Sequence, residues 1–121
     1  MLYHENLTTY KKAISFAWTI YLLCKDNNFI SKDINIRSQL QRASISISSN
    51  IAEWCARWSR KDYIRFLYIS RWSISEVISI IRVCNEIWYI KTDEINTILI
   101  NSQELFKLLN GLIKRLLVTN P

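Results

Sequence analysis

Apolar residues recur at steps of three and four along nearly the whole chain, the signature of amphipathic helices. The first run covers about residues 7–25, with Leu7, Tyr10, Ala13, Ile14, Ala17, Ile20, Tyr21 and Cys24 on one stripe. Lys11, Lys12, Ser15 and Thr19 fall largely off it. Asp26-Asn27-Asn28 ends the run, because short polar side chains compete with the helical backbone. A second run starts near Ser31 to Asp33 and reaches about Arg57, on Ile36, Leu40, Ala43, Ile47, Ile51 and Cys55. Within it, Ala43 to Ser49 alternates strictly and also fits a strand. Helical spacing continues on both sides, and a lone strand has nothing to pair with. The segment is therefore expected to be helix, with a serine-lined face that another backbone can approach.

Ser59 reads as the N-cap of a third helix, answered by Asp62 in capping-box style. That helix is predicted from Arg60 to about Tyr89, burying Tyr63, Phe66, Leu67, Ser70, Ile74, Val77, Ile78, Ile81 and Cys84. Thr92 is expected to cap a fourth, with Asp93 and Glu94 complementing its dipole. Its stripe is Ile95, Ile98, Leu99, Ser102, Leu105, Phe106, Leu109, Leu112, Ile113 and Leu116. Lys114 and Arg115 lie in the last turn. Four helices of roughly 18–30 residues, joined by short connections, predict an all-α fold. The expected architecture is an antiparallel up-down-up-down four-helix bundle in one domain, residues 1–121.

Composition narrows the chemistry. One glycine excludes a Gly-rich phosphate loop, and so few turn-formers disfavour a sandwich or barrel. The lone histidine, His4, speaks against His-based metal sites and Ser-His-Asp or Cys-His catalysis. No pair of Glu-x-x-His units exists for a di-iron bundle, and Glu53, Glu76 with Glu86, and Glu104 fall on three different segments. With neither base nor activated nucleophile, the chain is expected not to be an enzyme and to use no cofactor or metal. Cys24, Cys55 and Cys84 are odd in number, lack a C-x-x-C, and read as buried thiols of a cytoplasmic protein. No signal-like N-terminal run and no 18-residue apolar stretch is present, so no membrane span is expected.

The net charge is +6, and most of it lies between Arg37 and Arg82, where eight basic residues face three acidic ones. A basic middle suits a polyanion such as RNA, DNA or anionic lipid, or is simply a solvated face. Arg57, Arg60, Lys61 and Arg65 gather at the turn between helices two and three, with Arg71 further along. This array suits phosphates, with Tyr63 or Tyr68 available for stacking. Membrane-surface association is the weaker match, since the helices read as core-facing. Glu53 and Arg57 are spaced to pair, and Asn50 sits one turn earlier beside the apolar stripe. Asn50 and Glu53 are expected to form a structural polar network that fixes helix register.

The same stretch resembles the bacterial four helix bundle protein family, also called the 23S rRNA intervening-sequence proteins. The most specific part is Ser46-Ile47-Ser48-Ser49-Asn50-Ile51-Ala52-Glu53. Leu7, Tyr10, Lys12 and Ala13 match before it, as does Gln39-Leu40-Gln41-Arg42-Ala43. After it come Arg57, Ser59, Lys61, Phe66, Leu67, the Ser73-x-x-Glu76 unit and Leu108 to Ile113. The resemblance implies a homo-oligomer, with a ring of five expected, and no agreed catalytic activity. Similar proteins accompany the reverse transcriptase of diversity-generating retroelements, where a basic pentamer binds nucleic acid and the polymerase. Two functions follow as expectations. One is non-specific RNA or DNA binding through the basic face. The other is an adaptor that docks a protein such as a reverse transcriptase without touching nucleic acid.

The chain departs from the family pattern in one respect. Trp54, Trp72 and Trp88 stand where that pattern has glycine, and Trp58 is a fourth candidate. The composition agrees, with five Trp and one Gly. Indoles at glycine positions inside helices are expected to overpack by roughly 1–3 kcal/mol each or to force a new arrangement. They are poor candidates for binding residues. The pattern suggests a gene in which UGA encodes glycine and ordinary translation writes tryptophan; genuine substitution is the alternative. UGA codons are then expected at 54, 72 and 88, and UGG at those places in the gene ends the idea.

Overall fold

The structure, a computed structural model, describes residues 3–55 and 59–118. Arg57 and Trp58 lie outside the described residues, as do the side chains of Trp54 and Cys55. The described residues form five α-helices and no strand: α1 (Tyr3–Asp26), α2 (Asn28–Lys32), α3 (Ile34–Ile51), α4 (Arg60–Glu86) and α5 (Thr92–Val118). A 3-10 turn, Ala52–Cys55, follows α3. The alternating segment 43–49 is helical, as its flanking periodicity requires.

The helices form a bundle in which α3 packs on α4, α4 on α5, α5 on α1 and α1 on α3. Side-chain pairs give direction to two of these contacts. Between α3 and α4, Tyr63 meets Ile51, Ser70 meets Ile47 and Ser73 meets Ser46, so the two run antiparallel. Between α1 and α5, Glu5 meets Arg115 and Lys12 meets Glu104, again antiparallel. Ile20, Ile47, Leu67, Ile74, Ile81 and Leu109 meet in one fully buried core. Burying each side chain of this kind contributes roughly 1.5–3 kcal/mol.

Helix boundaries differ from the sequence expectation at four places. The polar stretch after α1 does not simply stop it. Asn27 Oδ1 accepts from the N–H groups of Phe29 and Ile30, at 3.0 Å each, and so starts α2. That single turn places Ile30 in the core. Asp33 then caps α3, accepting from Ile36 N–H at 3.1 Å, and α3 itself ends at Ile51 rather than near Arg57. Thr92 is the first residue of α5 rather than its cap, while Glu94 accepts from the Lys91 N–H ahead of it.

The fourth difference ends α4 at Glu86, short of Tyr89. Tyr89 N–H donates to Cys84 O at 2.8 Å, and Trp88 N–H donates to Asn85 O at 3.2 Å. These two bonds are the Schellman termination, whose middle residue must be left-handed and is usually glycine. Here it is Trp88, with φ 71°. Its side chain is 88% exposed, so burial does not offset the strain. Trp72 behaves otherwise. It is 64% exposed on the outer face of α4, so the overpacking expected of it does not occur within this chain.

The buried face of α1 is also rotated slightly from expectation. Phe16 is buried, whereas Ile14 and Tyr21 are exposed. A left-handed non-glycine residue costs roughly 1–2 kcal/mol, and glycine returns part of that gain as unfolded-chain entropy. Trp88→Gly is therefore expected to stabilise the fold by about 1 kcal/mol, read as a higher denaturant midpoint with unchanged m-value.

Candidate nucleic-acid interface

The basic residues belong to α4, whose start is set by local chemistry. Ser59 is extended, and its Oγ accepts from Asp62 N–H at 3.1 Å, which satisfies one of the free donors of the first turn. The helix then buries Tyr63, Leu67, Ser70, Ile74, Val77, Ile81 and Cys84. What remains faces outward.

Lys61 and Arg65 are exposed and one turn apart on that outer face. Arg65 Nη2 lies 3.6 Å from Asp62 Oδ1, and its guanidinium is 6.0 Å from the Phe66 ring. An exposed pair of this kind contributes about 0–1 kcal/mol, so it yields readily to a competing phosphate. Arg60 is half-buried in a shallow groove with Ser59, Lys61, Ile64, Leu116 and Leu117. Arg71 is held in place: its Nη1 donates to Asn110 Oδ1 of α5 at 2.7 Å, and its guanidinium covers the Tyr68 ring at 4.8 Å. Lys61 and Arg65 thus share one face, and Arg60 and Arg71 flank it toward α5. Arg57 lies outside the described residues.

The stacking role expected of the tyrosines does not survive. Tyr63 is buried, and Tyr68 already carries Arg71 on its ring. Tyr63 is instead a junction. Its hydroxyl donates to Ile51 O at 3.0 Å and accepts from Asn6 Nδ2 at 2.7 Å, joining the ends of α3, α4 and α1. Sequence periodicity missed Asn6 because a buried polar residue carries no apolar signal.

Asn50 Nδ2 donates to Ser46 O at 2.7 Å and to Ser46 Oγ at 3.0 Å. Ser73 Oγ of α4 donates to the same Ser46 Oγ at 2.9 Å. Glu53 is half-buried on the 3-10 turn that follows. Cys24 and Cys84 are buried free thiols, and burial pushes both up to about 11, so neither offers a thiolate at neutral pH. Among the described residues no helix is long and apolar enough to cross a membrane.

Residues 5–111 match the family model described as 23S rRNA-intervening sequence protein. The chain belongs to that family. The fold of this intervening-sequence protein is also similar to a crystal structure from Bacteroides thetaiotaomicron, a protein of unknown function from the S23 ribosomal protein family. The TM-score is 0.81 at 27% identity, over 91% of this chain and 98% of the other. No curated protein matches the chain.

The Tyr63 junction sets the angle at which α4, and with it the basic face, leaves the bundle end. Tyr63→Phe leaves Ile51 O and the Asn6 amide without their partner, so this intervening-sequence protein should lose roughly 1–3 kcal/mol. Urea unfolding reads the loss.

Proposed function

We propose that this intervening-sequence protein is a non-catalytic, homo-oligomeric, up-down-up-down four-helix bundle that binds RNA or DNA without sequence preference. Phosphate contacts come from Arg57, Arg60, Lys61, Arg65 and Arg71. The antiparallel α3–α4 and α1–α5 pairs support the bundle arrangement. The single observation that carries the binding is the outer face of α4: Lys61 and Arg65 exposed on successive turns, with Asp62 the only carboxylate from residue 60 to residue 71. Such a face offers positive charge to phosphates, a contact that gives affinity without carrying sequence information. Buried free thiols are consistent with the cytoplasm. A ring of five would turn a weak patch into useful avidity.

A second reading rests on a different observation. Ile14, Trp18, Tyr21 and Leu22 are all exposed on α1, with Trp18 at 65%. An apolar surface of this kind suits the contact between copies, or docking of a protein such as a reverse transcriptase.

Salt titration of RNA binding separates the two readings. Phosphate contact requires affinity to fall steeply between low and moderate salt, and Lys61→Gln with Arg65→Gln to weaken it further. A flat salt response removes the nucleic-acid reading. Light scattering on the same sample should give about five times the 14.4 kDa chain mass.

A further inference from the structure

The charge on the bundle surface is segregated more sharply than the cluster at residues 60–71 reveals. Arg60, Arg71 and Arg82 are spaced by eleven residues, just over three helical turns, so all three lie along one edge of α4. Arg71 fixes which edge this is, because it bonds Asn110 of α5. On α5, Lys107 and Lys114 lie three residues before and four after Asn110, so they project from the same side. Arg82, Lys107 and Lys114 are exposed.

The carboxylates of α4 up to residue 82 and of α5 from residue 96 are turned elsewhere. Asp62 is eleven residues before Ser73, and Glu76 three after it; Ser73 bonds Ser46, which places both acids on the α3 side of α4. Glu104 is the only acid of α5 from residue 96 to residue 118, and it pairs with Lys12 on the α1 side. The α4–α5 seam thus carries five cations between Arg60 and Arg82, while Glu86, four residues after Arg82, and Asp93 at the start of α5 close its far end.

We infer that this seam is a track for the phosphate backbone of a double-helical nucleic acid, and that Arg82, Lys107 and Lys114 extend the contact beyond the residues at the start of α4. The inference rests on the nucleic-acid reading above and assigns its partner class. From Arg60 to Arg82 the track spans about 33 Å at 1.5 Å per residue. That length matches about ten base pairs, one turn of duplex, at 3.4 Å per step along each strand. A single strand would need bare aromatic rings to stack its bases. The seam offers none, since Arg71 covers Tyr68 and Trp72 points off the seam by one residue's rotation.

The test measures binding of a 20-base-pair DNA duplex and of a single strand of equal length, for the full chain and its variants, across a salt series. Arg82→Gln, Lys107→Gln and Lys114→Gln should each weaken duplex binding several-fold and lower the salt slope by about one. Lys11→Gln, on the opposite face of the bundle in α1, should leave both unchanged, and circular dichroism should be identical for all. Normal binding by the three variants, with loss confined to Lys61→Gln and Arg65→Gln, overturns the track while sparing the general reading. Tighter binding of the single strand overturns the duplex assignment. Absence of any binding by the unaltered protein overturns both.

Discussion

The close approach of α3 to α4 is the constraint on which the other features depend. It is made possible by small side chains. Ala43, Ser44, Ile47 and Ser48 on α3 and Ser70, Ser73, Ile74 and Val77 on α4 are all buried. Ser70 Oγ donates across the seam to Ile47 O at 2.7 Å, a bond that only a short side chain can make to a neighbouring helix backbone. Helix separation follows the size of the residues at the contact, so larger residues here would push the pair apart. The buried hydroxyls are satisfied without water: Ser44, Ser48 and Ser102 donate to carbonyls of their own helices. With α3 fixed against one side of α4 and α5 against the other, the remaining arc of α4 has to face outward. That arc is where the basic residues stand.

The two ends of the bundle are closed by different means. At one end Tyr63 joins three helices through a single hydroxyl. At the other, Asp33 caps α3 with one oxygen and accepts from the Tyr89 hydroxyl with the second, at 3.1 Å. Asn27 both caps α2 and donates to Tyr89 O at 2.7 Å, and the Phe29 and Tyr89 rings stack at 5.4 Å. The hydrogen bond to Asp33 raises the pKa of the Tyr89 phenol, since ionising it would remove the shared proton and set two anions side by side. These contacts hold Tyr89, the residue after Trp88, and so help the loop after α4 keep its strained conformation.

Much of this was legible in the pattern of the chain, and the exceptions have physical causes. Period-3.6 stripes located the four long helices and nearly all of the core, because burial of one face is what the pattern encodes. The serine alternation at 43–49 was ambiguous by period alone and was decided by its flanks. Helix ends were less legible, because they turn on which polar side chain finds which backbone donor; Asn27 acts as a start where the sequence suggested only a stop, whereas the start at Asp33 falls where the pattern placed it. The basic cluster was visible as composition. Which arginines share an edge was not, because that depends on which neighbour flanks each side of α4, and one bond, Arg71 to Asn110, supplies the answer.

Trp72 and Trp88 show how differently the backbone can constrain two residues of one type. At 72 the indole meets solvent, so within this chain the backbone asks nothing of that residue. At 88 the constraint comes from the main chain: two hydrogen bonds from consecutive N–H groups hold φ at 71°, whatever side chain is attached. A side chain can rotate away from a clash, but it cannot relieve the contact of its own Cβ with the backbone. The argument that glycine belongs in this fold therefore rests on position 88 far more than on position 72. It holds independently of whether the nucleic-acid reading of the α4 face is right.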